Sequence, residues 1–413
     1  MENDSAMIKE HPLPKCFFPE LLLIRKGDGV WLEDGNGRRY LDFTGGIAVN
    51  ALGYGREDLA QVAGEQMKKL VHISNLFITE PALELARKMT ANGIFQAVQF
   101  LSSGSEANET ALKYARLYSL RRKGEGCHKL LCFTDSFHGR TMGALSVTPN
   151  PKYQEPFAPL VPGVEVVEYN DLSSLEKTLD RSFAGVIVEV IQGEGGMAAM
   201  SPEFAAALNR LCGKHDVILI ADEVQTGLSR TGTFFAAEGI GLQPDIVTLA
   251  KPLAAGLPLS AVLIPEKVNC LIHVGEHGTT FGGGPVTTAV AGRVWDILSN
   301  PQFIAQVREK GQHLHGKLES LAGGYPFLGR IRGRGLLLGI EVLLERLPGG
   351  GKDGDLMGGL LEVFREEGLL ILRSGQNVLR IAPPLVISTE EIDTGLAILS
   401  RAFQRLKAGE IEL

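Results

Sequence analysis

From residue 97 onward the chain alternates short apolar runs with longer stretches of helical periodicity. The runs at 98–101, 130–133, 185–190, 217–221, 245–250 and 260–264 are rich in β-branched residues and apolar throughout, the pattern of strands buried on both faces. Helical patterns between several of them predict βαβ units and a mostly parallel sheet, hence an α/β fold. In one of these helices Ala107, Ala111, Ala115 and Tyr118 share a face. Ahead of this region, apolar segments at 22–25, 30–32 and 40–43 are separated by Gly27-Asp28-Gly29 and Asp34-Gly35-Asn36-Gly37, which predicts a small meander. Residues 1–20 read as an irregular arm, and helices are expected near 57–70 and 81–92. Behind the sheet, the periodicity predicts a long helical stretch over 285–321, then a mixed tail that starts with an apolar run at 336–343. A glycine-rich loop at 348–354, a helix at 356–367, a hairpin near 369–381 and a last helix at 390–407 complete the pattern.

A chain of 413 residues exceeds the size at which one core usually stops growing. The expected division is an arm and meander (1–48) joining the C-terminal segment (306–413) as a smaller domain, beside a large domain over 49–305. The net charge of -7 argues against a nucleic-acid partner. No apolar run reaches the ~18 residues of a membrane span, and residues 1–16 lack the apolar core of a signal peptide. Cys16, Cys127, Cys132, Cys212 and Cys270 are scattered without a CxxC pair, so neither a metal site nor a disulfide framework is expected. Reduced thiols and a cytoplasmic protein fit this pattern.

Two of the apolar runs stop at a charge: Asp222 ends one and Lys251 the next. Burying either group alone is costly, and ligands of open α/β sheets bind just outside the carboxyl ends of strands. The two residues are therefore expected on opposite sides of a ligand. Ser103-Gly104-Ser105 opens the alanine-faced helix, with Ser103 and Glu106 at capping-box spacing. The free N–H groups of such a helix end make an anion site, although the same residues equally describe a capped helix with no ligand. Lys251, too, could be a strand-end lysine reaching solvent. A phosphate cradle, a buried carboxylate and a lysine able to form a Schiff base, in this order, are what pyridoxal phosphate requires. Ser174-Leu175-Glu176-Lys177 matches an acylase-type SxxK, but in a charged helical pattern that suits a solvated face better.

At this point the chain resembles the class III aminotransferases, from about residue 27 to 403. The resemblance rests on Ser103-Gly104-Ser105-Glu106-Ala107-Asn108-Glu109, Ser136-Phe137-His138-Gly139-Arg140-Thr141, Gln192-Gly193-Glu194-Gly195-Gly196, Asp222-Glu223-Val224-Gln225-Thr226-Gly227, Thr248-Leu249-Ala250-Lys251 and His277-Gly278-Thr279-Thr280-Phe281-Gly282-Gly283. It implies the type I fold of pyridoxal-phosphate enzymes, a large domain with a mostly parallel sheet plus a smaller α+β domain. It also implies roles. Lys251 would link to the cofactor and shuttle a proton, and Asp222 would pair with the pyridinium nitrogen. Gln225 would bond the phenolic oxygen, Val224 and Phe137 would cover the two ring faces, and Ser103, Gly104 and Ser105 would hold the phosphate. Thr280 would reach the phosphate of a partner subunit, making a homodimer with shared sites, and Thr279 would lie near the substrate. Arg140 and Arg380 would clamp substrate carboxylates, with Glu194 neutralising Arg380 when the other substrate occupies the site.

The implied reaction moves the terminal amine of N-acetylornithine to 2-oxoglutarate. Ornithine, succinylornithine, a lysine-pathway intermediate or 4-aminobutyrate are alternative donors, and aminomutation without an external acceptor is a different chemistry on the same fold. The chain departs from the family at Tyr54-Gly55-Arg56-Glu57, Val190, Ser229, Pro252, Ala254-Ala255 and Gly284, and its arm carries Phe17 and Phe18 where ornithine-specific relatives use a tyrosine.

Overall fold

A computed structural model of the protein describes Pro14 and residues 22–348 and 355–411. The rest of the arm, with Cys16, Phe17 and Phe18, and most of the loop at 348–354 lie outside the described residues. The expected meander forms from β1 (Ile24–Asp28), β2 (Trp31–Asp34) and β3 (Arg39–Asp42), paired antiparallel. Gly27 and Asp28 extend β1, so the first reversal falls later than expected, at Gly29, whose φ of 58° suits glycine.

All six predicted central strands are present: β4 (Ala97–Leu101), β5 (Lys129–Phe133), β7 (Phe183–Val188), β8 (Ile218–Asp222), β9 (Ile246–Leu249) and β10 (Ser260–Ile264). β6 (Val164–Val167) was not anticipated. It is a four-residue edge strand with one buried side chain, too short for a periodic signal. The sheet runs β4-β10-β9-β8-β7-β5-β6. Every neighbouring pair is parallel except those of β10, which runs against both β9 and β4. Alternate residues of a strand enter the two cores: Ile218 and Ile220 pack on one side, Leu219 and Ala221 on the other. The helix Gly104–Lys123 lies on the first side with Ala107, Ala111 and Ala115 fully buried. Gly185 permits this close approach, since a Cβ there would lie 2.8 Å from that of Ala115.

The helical stretch expected over 285–321 is divided into two helices, Pro285–Leu298 and Pro301–Gly323. The Asn300 side chain accepts the N–H groups of Gln302 and Phe303 at 2.8 and 3.4 Å, and Pro301 has no N–H with which to continue the first helix. β11 (Leu328–Arg334) was also missed, because its glycines and arginines carry no apolar alternation. β12 (Leu337–Val342) pairs with it, and the expected hairpin appears as β14 (Leu372–Ser374) and β15 (Val378–Ile381), giving a sheet in the order β11-β12-β15-β14. The start of that segment, β13 (Leu369–Leu370), instead joins β3 in parallel. The helices Glu57–Lys69, Glu80–Thr90, Leu356–Glu366 and Thr389–Lys407 form as expected. Ser174 lies on the surface helix Leu172–Thr178, where Glu176 pairs with Arg210. No helix among the described residues is long and apolar enough to cross a membrane.

Candidate active site

Because β10 alone is reversed, the carboxyl ends of β4, β5, β7, β8 and β9 open on one edge of the sheet. The segments leaving them carry Ser103–Ser105, Phe137, Glu189, Asp222 and Lys251 in turn. They converge on one cavity of ≈ 310 Å³, lined by Ser103, Gly104, Ser105, Phe137, Asp222, Val224, Gln225 and Lys251. These are all of the predicted cofactor residues except Thr280.

Ser103 caps the helix Gly104–Lys123, its Oγ accepting from the Glu106 N–H at 3.3 Å. The Glu106 carboxylate turns back to the Ser102 N–H at 3.1 Å and the Ser103 hydroxyl at 2.9 Å, a capping box displaced by one residue. The first-turn N–H groups of Gly104 and Ser105 have no carbonyl one turn back to bond, so they are available to an anion.

Asp222 is 4 % exposed and accepts three hydrogen bonds: from Asn108 Nδ2 at 2.8 Å, His138 Nδ1 at 2.7 Å and its neighbour Val224 N–H at 3.0 Å. Asn108 in turn accepts from the Thr248 hydroxyl at 2.8 Å and donates to the His138 carbonyl at 2.7 Å. Asn108 and His138 were not singled out from the sequence. A signal existed for the first, because an asparagine on the buried face of an alanine-rich helix needs a buried partner. None existed for the second.

Lys251 and Asp222 do not bond each other, and both line the same cavity. Lys251 begins the short turn Lys251–Ala254 after β9 and is half-buried. Burial, then the positive charge of Arg380, pulls its pKa down to about 8, against the opposing pull of Glu194, Asp222 and Glu189. The neutral amine is therefore far more populated near neutral pH than for an exposed lysine.

These residues fit pyridoxal phosphate. The cavity has a helix-end anion cradle, an amine of lowered pKa, and a buried carboxylate with no lysine or arginine bonded to it, the environment a pyridinium N–H needs. Gly104 is part of the fit, since a Cβ there would lie 2.8 Å from Val224 Cγ1. Gly104→Ala should push Val224 into the cavity and weaken cofactor retention about tenfold, as expected for overpacking of 1–3 kcal/mol. Equilibrium dialysis of apoprotein against pyridoxal phosphate checks this, and an unchanged dissociation constant would remove Gly104 from the cradle.

The predicted substrate residues are more spread out. Arg380, on β15, is 3 % exposed and forms an ion pair with Glu194. Its Nη1 also donates to the Gly193 carbonyl at 2.8 Å and reaches Gln225 Oε1 at 3.5 Å. Arg140 is exposed beside Gly139, which lines the cavity, and its guanidinium lies 3.6 Å from the centre of the Tyr153 ring. Its backbone N–H bonds the Ser105 hydroxyl at 3.2 Å. Thr279 and Thr280 do not join this chain's Lys251 cavity. Both line a separate surface cavity with His277 and Phe281.

Two departures from the family pattern sit in left-handed backbone, where glycine is favoured: Ser229 at φ 74° and Ala255 at φ 50°. Ser229 has a compensation glycine lacks, since its hydroxyl donates to the Leu298 carbonyl at 2.6 Å.

The chain is similar to known proteins over nearly its whole length. The acetylornithine aminotransferase of Debaryomyces hansenii, a mitochondrial protein, is 42% identical over 397 residues, covering 93% of this chain and 83% of that protein. A succinylornithine transaminase from Photorhabdus laumondii is 39% identical and covers 98% and 99%. The crystal structure of the ornithine aminotransferase from Toxoplasma gondii superposes with a TM-score of 0.92 at 30% identity, covering 99% of this chain and 96% of that one. Residues 18–403 match the family Aminotransferase class-III. The chain thus belongs to the class III aminotransferases, enzymes that use pyridoxal phosphate.

Proposed function

We propose that this aminotransferase moves the terminal amine of N2-acetyl-L-ornithine to 2-oxoglutarate, giving N-acetylglutamate 5-semialdehyde and glutamate. The observation that carries the reading is the buried Arg380 paired with Glu194 and reaching Gln225 of the cavity wall, with the exposed Arg140 stacked on Tyr153 next to the cavity residue Gly139. One reaction must bind a dicarboxylic acid, and the other an amine far from its carboxylate. A guanidinium with a removable internal counterion serves both.

Bound pyridoxal phosphate supplies an electrophilic carbon for the incoming amine and a protonated ring that withdraws electrons. Gly104, Ser105 and the Ser103 cap would hold its phosphate at the helix end, and Asp222, itself steadied by His138 and Asn108, would keep the proton on its ring nitrogen. Gln225 would bond its phenolic oxygen, and Val224 and Phe137, which line the same cavity, would enclose its faces and exclude water. Lys251, neutral in a useful fraction, takes a proton from the substrate carbon that bears the amine and later returns one. Arg140 binds the carboxylate common to both substrates. Arg380 binds the α-carboxylate of glutamate or 2-oxoglutarate when Glu194 swings aside, and stays paired when acetylornithine enters.

The same proposal includes a homodimer in the cytoplasm, with Thr280 of each chain serving the partner's phosphate site. Phe77, Ile78 and Phe281, exposed by 71%, 81% and 70%, surround the surface cavity that contains Thr280, an apolar patch suited to a second copy. It also retains the division into 49–305 and a smaller unit of 1–48 with 306–413, supported by the sheet that joins β3 to β13.

A donor panel with 2-oxoglutarate tests the substrate. N-acetylornithine should exceed ornithine, succinylornithine and 4-aminobutyrate in kcat/KM, and a higher value for 4-aminobutyrate would overturn the reading. Preference for succinylornithine would support the second reading, favoured by the Photorhabdus relative. Turnover without 2-oxoglutarate would indicate aminomutation. In the same assay Arg140→Lys should weaken both half-reactions, whereas Arg380→Ala should weaken the glutamate half by about 10–100-fold, the effect of a lost charged hydrogen bond. Equal damage from both changes would remove the switch.

A further inference from the structure

Glu189 is a buried carboxylate that the mechanism above leaves without a task. It is 5 % exposed at the end of β7, and no arginine or lysine is bonded to it. Burial pushes its pKa up, so keeping it charged is costly unless its oxygens are well satisfied. Two backbone groups from different segments offset part of that cost. One oxygen accepts the Phe137 N–H at 2.9 Å and the other the Gly193 N–H at 3.0 Å. The Gly193 carbonyl in turn accepts from Arg380 Nη1 and from the Ser374 hydroxyl, each at 2.8 Å. Gly193 has no room for a side chain, because a Cβ would collide with the Gln225 amide.

We infer that Glu189 is a positioning residue that couples the ring-stacking segment at Phe137 to the Glu194–Arg380 pair. One carboxylate holds both segments at once. The placement of the aromatic ring over the cofactor and of the peptide behind Arg380 therefore depend on the same group. The inference rests on the proposed role of Arg380 as the carboxylate-binding group.

Glu189→Gln in the holoenzyme is the direct test. The amide keeps the shape but has one accepting oxygen, so its NH2 must face one of the two backbone N–H groups. The melting temperature should stay close to wild type. KM for 2-oxoglutarate should rise about tenfold, the effect of one lost charged hydrogen bond, with a smaller change in kcat. The dissociation constant of pyridoxal phosphate from the apoprotein should rise severalfold, a change that damage confined to the Arg380 side would not produce. In a cycle with Glu194→Gln, the double variant should be no more than about twofold worse than the worse single variant, the mark of coupled residues. Additive effects, or an unchanged cofactor dissociation constant, would overturn the inference. If Glu189→Gln does not fold, Glu189→Asp, which keeps both oxygens but shortens their reach, is held to the same two readouts. A wild-type enzyme that ignores 2-oxoglutarate would sink the functional reading itself. A wild type that uses it, with an additive cycle, would sink only the role of Glu189.

Discussion

Lys251→Ala is expected to leave a folded protein that still binds pyridoxal phosphate but turns over N-acetylornithine at least ~10³-fold more slowly, within the range for loss of a general acid–base group. The near-visible absorbance band of a covalently held cofactor should vanish with it. Wild-type protein saturated with cofactor and lacking that band would falsify the assignment. A second consequence follows from charge. The Lys251 pKa is lowered to about 8 from the usual 10.5 by burial and by Arg380. Between those values the unfolded chain binds more protons than the folded one, so this residue makes the apoprotein's stability rise with pH across that window. Below about pH 8 the penalty is present in full. The alanine variant lacks it, so apoprotein carrying Lys251→Ala should melt higher than wild type at pH 7, with the difference shrinking toward pH 10. A variant that melts lower at pH 7 would mean that the lysine is not disfavoured by its site.

Asp222→Asn should lower kcat by about 10²–10³-fold, the scale of one removed electrostatic contact at a reacting centre. The geometry makes this more than a loss of charge. The carboxylate accepts from Asn108, His138 and Val224 at once, and an asparagine amide cannot accept all three. Its NH2 must face at least one donor, so the side chain turns or the network opens. With Asp222 in its proposed place, the substitution also removes the reason for the ring nitrogen to hold its proton. A pH titration of the bound cofactor's absorbance should show that proton leaving at lower pH than in wild type. An unchanged titration with kcat intact would assign the ring nitrogen to another partner.

Much of this was legible from local sequence, and for identifiable reasons. Asp222 and Lys251 were visible because each interrupts an apolar run at its end, and burial of a lone charge demands a partner. The capped helix end at Ser103, proposed to hold a phosphate, was visible because capping chemistry is set within four residues. Arg140, Glu194 and Arg380 were visible only through family resemblance, since a single charged residue has no local signature of its task. Elements were missed where local signals were weak, as in β6 and β11, or where one cap outweighed a continuous period, as at Asn300.

The sequence by itself determined most of the elements, the strand-end charges and the alanine face that lets the helix Gly104–Lys123 lie against the sheet. These depend on residues close together in the chain, whose spacing is the geometry. Only the tertiary structure decided that Asp222 is held by His138 and Asn108, 84 and 114 positions away, and that Glu189 joins Phe137 to Gly193. It also decided the reversal of β10, which turns five strand ends toward one cavity. Those facts depend on strand order and register, which are settled by how whole faces pack rather than by the residues that end up in contact.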